Sequence, residues 1–181
     1  MSTTELILWA VLALILLIVL IAATRPDQFR VERSLSIKAS SERIHALIND
    51  FHQWAAWSPW EKLDPGMERN YSGLGSGKGA MYAWSSKGKA GVGRMEIMQS
   101  EPQRILIRLE FIKPFAACNT AEFTFTAQGE TTQVLWAMYG PSPFISRLMG
   151  LVFNLDRMVG RDFEAGLGNM QRVLSEGEEK P

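Results

Sequence analysis

The chain has 181 residues, and its 19 basic and 19 acidic side chains are interspersed along the sequence. Because no block of Lys and Arg occurs, the sequence lacks the basic patch or stripe that nucleic-acid binding requires. Cys118 is the only cysteine, which excludes an intramolecular disulfide bond.

The first feature along the chain is an apolar segment, residues 6–23, without a charge, a helix breaker or a polar side chain. As a helix it would be ~27 Å long, close to the ~30 Å hydrocarbon core of a bilayer. We therefore predict a short N-terminal tail at 1–5, a transmembrane anchor at 6–23 and a linker at 24–28. A cleaved signal peptide is the main alternative, but the tail lacks the basic residues of one. A buried core helix would show a polar stripe.

The orientation of the anchor is predicted from the charges beside it. Arg25, Arg30, Arg33 and Lys38 all follow the apolar segment, and no Lys or Arg precedes it. By the positive-inside rule, the chain is a single-pass membrane protein whose C-terminal domain lies in the cytoplasm. The lone cysteine agrees with a reducing compartment.

About 155 residues follow the anchor, enough for one domain that buries roughly 70% of its unfolded surface. We place this domain at 29–175 and interpret the charged residues 176–181 as a disordered tail. Residues 29–37 alternate as a strand does. Ser40 is a suitable N-cap for a helix whose apolar face includes Ile44, Leu47 and Ile48.

The middle of the domain alternates with a period of two and predicts about six antiparallel strands. One hairpin loop is predicted at 101–103. If Ser100 faces Arg104, the same register places Glu96 opposite Arg108 and Arg94 opposite Glu110. A second hairpin turns at 128–131 and places Phe123 beside Trp136. One face of the sheet is then charged and the other apolar, as in an antiparallel sheet with one solvated side.

From Ser142 to about Ser175 we predict one long helix. A helix that crosses a curved sheet covers the apolar face incompletely, which leaves an apolar pocket between the two layers. The fold class is therefore α+β.

Five stretches of the soluble part resemble the START-like or SRPBCC superfamily, and within it the polyketide cyclase/dehydrase-like group. They are residues 37–40, 50–60, 119–125, 133–140 and 166–170. The resemblance implies a helix-grip fold, in which a curved antiparallel sheet wraps a long C-terminal helix around a cavity for an apolar ligand. Members of the family bind lipids, sterols or polyketides, and a minority catalyse reactions.

The candidate ligand-binding residues are the large apolar side chains expected on the inner face. They are Trp57, Trp60, Trp84, Met95, Ile97, Ile107, Leu109, Phe123, Phe125, Trp136, Met138 and Phe163. Since the fold needs a core as well as a pocket, we expect roughly half of them to touch a ligand. Trp54, Trp57 and Trp60 fit an aromatic wall at the pocket mouth and ordinary core packing equally well.

No catalytic residue, metal site or cofactor is assigned. The two histidines, His45 and His52, have no partners at a metal-ligand spacing, and we interpret them as surface residues. Asp156 or Asp162 on the last helix would serve as a cavity acid or base if burial raised its pKa.

Three functions remain open. The first is a membrane-tethered binding protein for an apolar small molecule or lipid. The second is an enzyme of the cyclase or dehydratase type that uses a cavity carboxylate. The third is a module for an unknown protein partner with a vestigial cavity, whose contact would be the amphipathic stretch 144–153; that stretch also suits a membrane surface.

Overall fold

The computed structural model describes residues 2–177 and has five α-helices and seven strands in that range. The helices are α1 (Thr3–Thr24), α2 (Ser41–Asn49), α3 (Trp54–Trp57), α4 (Phe144–Met149) and α5 (Leu155–Glu176). The strands are β1 (Gln28–Ile37), β2 (Glu68–Gly73), β3 (Ala80–Ser85), β4 (Val92–Glu101), β5 (Arg104–Lys113), β6 (Ala117–Gln128) and β7 (Thr131–Pro141). Of the predicted tail 176–181, residues 178–181 lie outside the described residues.

All seven strands form one antiparallel sheet in the order β1-β7-β6-β5-β4-β3-β2. Helix α5 packs against β1 and against the segment containing α3, which gives the predicted helix-grip arrangement. The two ends of the sheet differ in their surroundings. The end of the sheet next to α1, called the anchor end after the predicted transmembrane anchor, carries the start of β1 and the β5–β6 turn. The distal end carries the β4–β5 and β6–β7 turns and is covered by α2.

The predicted cross-strand pairs are confirmed, although one register assumption is wrong. Glu96 faces Arg108 and Arg94 faces Glu110, but Arg104 faces Glu101 instead of Ser100. A β-bulge between Ile97 and Gln99 shifts the register by one residue. Beyond the bulge Ser100 faces the buried Ile105 on the inner side, where its hydroxyl donates a hydrogen bond to Asn49 Oδ1 of α2 at 2.7 Å. Phe123 faces Trp136, as predicted.

The single helix predicted for residues 142–175 is divided into α4 and α5 by a turn at 150–154. Gly150 ends α4, and the Asn154 side chain accepts a hydrogen bond from the Arg157 backbone N–H at 2.9 Å, which starts α5. A side-chain oxygen at this position satisfies an otherwise unpaired N–H of the first helical turn. The chain therefore turns a corner before α5 crosses the sheet.

By its length and composition, helix α1 is long and apolar enough to cross a membrane. Nearly all of its side chains are exposed, unlike those of a core helix. Ser2 and Glu5 form a capping box at its start. Its last turn packs against the domain, where Ala22 is buried.

Candidate functional site

An inner cavity of about 170 Å³ lies between the sheet and α5, toward the anchor end of the sheet. Its wall is mostly aromatic and aliphatic, with a few polar groups. The apolar lining comprises Trp54, Trp60, Met67, Trp84, Ala90, Met95, Leu109, Phe111, Ala121, Trp136, Met138, Val159 and Phe163. An apolar cavity of ~150 Å³ is large enough for a molecule such as benzene. The inner cavity therefore accommodates a group about the size of one aromatic ring.

Trp136 on β7 is the centre of the aromatic wall. Its ring stacks on Phe163 of α5 at 4.2 Å between centroids and on Phe123 of β6 at 4.9 Å. The close approach of α5 depends on Gly166, where a Cβ atom would lie 2.7 Å from Trp136 Cζ3. Among residues 2–177 the buried Trp136 Nε1 has no hydrogen-bond partner. A buried donor without an acceptor lowers the stability of the fold.

The polar part of the lining consists of Ser58, Glu61, Tyr82 and Asp162. Glu61 is buried, and its carboxylate accepts hydrogen bonds of 2.6 Å from Tyr82 Oη and 2.6 Å from Arg69 Nε. Burial, and then the bond to Glu61, raises the pKa of the Tyr82 hydroxyl far above its usual value. The hydroxyl therefore remains protonated and donates to the carboxylate at physiological pH.

Asp162 and Asp156 occupy different environments although both are on α5. Asp162 lines the inner cavity, and no hydrogen bond or ion pair joins its carboxylate to another described residue. Asp156 lies outside, where its carboxylate binds Arg33 Nη1 at 3.0 Å. The hydrogen bond from Arg33 holds the pKa of Asp156 below its usual value. Of these two carboxylates, Asp162 is the one placed where a cavity acid or base would have to be.

Seven of the twelve predicted ligand-binding residues line the inner cavity: Trp60, Trp84, Met95, Leu109, Trp136, Met138 and Phe163. The other five, Trp57, Ile97, Ile107, Phe123 and Phe125, lie in the closed core toward the distal end. They are sealed there by α2 and its neighbours. Trp57 Nε1 donates to the Leu47 carbonyl at 3.2 Å, and the ring of His45 packs at 5.9 Å from that of Phe125.

Sequence reasoning missed several lining residues. Tyr82 and Trp84 are alternate residues of β3, so their side chains lie on the same face of the sheet. This alternation was sufficient to predict Tyr82 as a lining residue. Phe111 continues the inward alternation of β5 from Leu109. No sequence pattern places Glu61 at the cavity, because this residue lies in a 3₁₀ helix whose position depends on the rest of the fold. Within the described range, no three His, Cys, Asp or Glu side chains are grouped so that they could hold a metal ion.

A second, more open depression of about 960 Å³, the outer groove, adjoins the inner cavity. It is bounded by the start of β1, the start of β6, α4 and the turn at 150–154. Phe111, Met138 and Val159 line both spaces. These three side chains therefore form the partition between the inner cavity and the outer groove.

The fold is shared with several solved structures. The protein CV1439 from Chromobacterium violaceum is 13% identical, with a TM-score of 0.56 over 82% of this chain and 98% of that one. The protein of unknown function SA2116 from Staphylococcus aureus is 16% identical, with a TM-score of 0.59 over 85% and 99%. The di-domain ARO/CYC StfQ from the steffimycin biosynthetic pathway is 9% identical, with a TM-score of 0.61 over 84% and 52%.

These structural similarities establish the helix-grip fold and nothing finer. A comparison with curated protein sequences found no match. The family model described as "Polyketide cyclase / dehydrase and lipid transport" matches residues 28–175, which are nearly the whole chain beyond α1. The chain therefore belongs to the polyketide cyclase/dehydrase and lipid transport family, as the resemblance of its sequence motifs implied.

Proposed function

We propose that this chain is a membrane-tethered binding protein that holds an apolar small molecule, or the apolar part of a lipid, in the inner cavity. The observation that carries the proposal is a largely apolar cavity between the sheet and α5 whose wall is built mainly of aromatic and aliphatic side chains. Such a site suits a ligand with a compact apolar body. Helix α1 supports the tether, because apolar ligands partition into the bilayer beside the domain.

The size of the inner cavity limits how a ligand is held. A space for about one ring does not take a multi-ring or long-chain molecule whole. A larger ligand would keep its remaining atoms in the outer groove and pass between Phe111, Met138 and Val159. We therefore expect the ligand to have a compact apolar end and a larger remainder.

The direct test is native mass spectrometry, with organic extraction, on the full chain purified in mild detergent from its own host membrane. We expect a co-purifying apolar molecule at about one per chain. The blocking variant is Ala121→Leu, which adds carbons to the cavity wall, and the matched control is Thr124→Leu on the outer face of the same strand. Equal ligand content in both variants, or an empty wild-type chain, would contradict binding in the inner cavity.

The alternative is an enzyme of the cyclase or dehydratase type, and the observation that favours it is the cavity carboxylate of Asp162. A proton-transfer role requires a group within reach of the substrate. Under this alternative, Asp162→Asn abolishes turnover of the co-purified molecule but retains its binding. Glu164→Gln, on α5 but outside both the inner cavity and the outer groove, leaves turnover unchanged. Under the binding proposal, the wild-type chain returns the bound molecule chemically unaltered.

The proposed sidedness has its own test. Four cations follow the apolar segment of α1 and none precedes it, so we propose that the domain is cytoplasmic. Reporters that are active on only one side of the membrane would be fused after Pro181 of the full chain. Activity of the cytoplasmic reporter supports the proposal, whereas activity of the opposite reporter reverses the orientation.

A further inference from the structure

The end of α1 is fastened to the domain by two arginines that act reciprocally. Arg147 of α4 donates from Nη1 to the carbonyls of Ala23 at 3.3 Å and Arg25 at 3.1 Å. Arg25 in turn donates from Nη1 to the carbonyl of Gly150, at the end of α4, at 3.1 Å. Helix C-termini leave carbonyls without partners, and cations are favourable there. Each helix end is thus capped by an arginine from the other segment, and these bonds hold the end of α1 against the end of α4.

Large apolar side chains surround this attachment without any protein cover. Val152 and Phe153, in the turn at 150–154, are 80% and 56% exposed, and Phe115, in the β5–β6 turn, is 75% exposed. Ile145, Met149 and Met158 are exposed beside them. Contiguous exposed apolar surface indicates a binding surface for a protein or a membrane. We define the seating surface as α4, residues 150–154, and residues 112–116, which are the end of β5 and the β5–β6 turn.

The position of α1 decides between these occupants. If residues 6–23 span the hydrocarbon core, Thr24 and Arg25 lie at the boundary between acyl chains and headgroups. The seating surface is attached at this level, because Arg147 binds the carbonyls of Ala23 and Arg25. An apolar face with nearby arginines is typical of segments that lie in the membrane interface. The bilayer is therefore the occupant that this geometry favours.

We infer that the seating surface rests in the bilayer interface and turns the outer groove toward the lipid. This inference rests on the proposed function, since it requires α1 to be a membrane anchor. Residues of the seating surface, including Val152 and Phe153, line the outer groove, which meets the inner cavity at Phe111, Met138 and Val159. An apolar ligand then passes between the bilayer and the inner cavity without crossing water.

The test measures how deep individual positions lie in the membrane. The full chain with Cys118→Ser is reconstituted in vesicles of phosphatidylcholine and phosphatidylglycerol, and a nitrobenzoxadiazole fluorophore is attached to one new cysteine at a time. Phe115→Cys and Phe153→Cys report the seating surface. Leu74→Cys is the matched control, because Leu74 is 63% exposed but follows β2 at the distal end of the sheet. All three positions are exposed, so substitution leaves the core intact.

We expect lipids with a doxyl quencher near the headgroup to quench the fluorophores at 115 and 153 at least threefold more than the fluorophore at 74. The double variant Val152→Asp and Phe153→Asp should reduce quenching at 115 severalfold. Equal, weak quenching at all three positions, with ready access to aqueous iodide, overturns the inference and leaves the surface to a protein partner or a second copy of the chain.

Two further readouts separate the inference from the function on which it rests. If the chain floats with the vesicles and carries a ligand by mass spectrometry, but positions 115 and 153 stay in water, only the inference is wrong. If both positions are quenched but no ligand is bound, the membrane contact of the seating surface is supported and the proposed ligand binding is wrong. If the chain does not float with vesicles, both the tether and the seating surface are wrong.

Discussion

The inner face of the sheet is divided into two halves that are built from the same kinds of residue and behave differently. At the distal end, the closed half contains Ile97, Ile107, Phe123 and Phe125 beneath α2 and Trp57. At the anchor end, the open half contains Trp84, Leu109, Phe111 and Met138 around the inner cavity. Composition does not distinguish the halves. What distinguishes them is how closely each one is covered. Helix α2 and Trp57 pack directly on the distal half, whereas α5 leaves the inner cavity between itself and the other half.

The largest expected effect tests this division directly. Phe123 is fully buried among aromatic rings, with Trp136 at 4.9 Å and Trp57 at 6.2 Å between centroids. Phe123→Ala should lower the free energy of unfolding by about 3–5 kcal/mol, because it opens a void in a packed region. Thermal unfolding of the full chain in detergent, followed by near-ultraviolet circular dichroism, measures the loss.

The matched variant in the open half is Leu109→Ala. Leu109 already borders empty space, so its removal should cost less than half as much as Phe123→Ala. Ligand binding should show the reverse order, with the larger loss in Leu109→Ala. Similar stability losses in the two variants would mean that the open half is packed in solution.

The second prediction concerns the contact of α5 with the aromatic wall. A Cβ atom at Gly166 would lie 2.7 Å from Trp136 Cζ3 and 3.3 Å from Pro59 Cδ. Gly166→Ala should therefore destabilise the fold by about 1–3 kcal/mol through overpacking. At Gly168, on the same helix, nothing lies within 4 Å of an added Cβ atom, so Gly168→Ala should stabilise by about 0.5–1 kcal/mol. Thermal shifts of the same sign in the two variants would contradict this packing.

A third and smaller effect compares ion pairs at the cavity and on the solvated face. Glu61→Gln keeps an acceptor for Tyr82 but leaves Arg69 Nε facing an amide, at a cost of about 1–2 kcal/mol. Glu96→Gln breaks the Glu96–Arg108 pair on the outer face, where exposed pairs are worth about 0–1 kcal/mol. Chemical unfolding of both variants measures the difference. A greater loss in Glu96→Gln would show that the cavity pair contributes little to stability.

The sequence predicts the strands and their pairing well, because alternation carries the inward and outward order of each strand directly. The facing of Glu96 with Arg108 and of Phe123 with Trp136 needed no tertiary information. The division of the inner face did not follow from the sequence. Ile97 and Met95 have the same parity on the same strand, and only the position of α2 places the first in the closed core and the second at the cavity.

The corner between α4 and α5 was missed for a different reason. The apolar spacing continues through Leu148, Leu151 and Leu155, so periodicity alone predicts an unbroken helix. Gly150 followed by Asn154 is an end signal and a start signal, and these two residues were enough to indicate the break. The break places exposed apolar residues beside the end of α1, which an unbroken helix would not do.

The smallest expected effect is a pH dependence confined to the closed half. His45 of α2 packs against Phe125, and its Nε2 lies 3.2 Å from Ser100 Oγ. Partial burial lowers the pKa of His45 below its ordinary value of 6.5. The unfolded chain then binds a proton more readily than the folded chain. The free energy of unfolding is therefore constant above the ordinary pKa of 6.5 and falls as the pH drops below 6.5. Asp156, whose pKa is also lowered, loses its contribution only at more acidic pH.

His45→Gln should therefore flatten the change in melting temperature between about pH 7.5 and 5.5. The effect is small because the imidazole remains partly exposed. Ala46→Gln is the control, since Ala46 is an exposed neighbour of His45 on α2 and this change removes no titratable group, so it should keep the wild-type dependence. If His45→Gln and the wild type show the same slope, α2 does not hold the imidazole against the sheet. The closed half would then be as loosely covered as the open one.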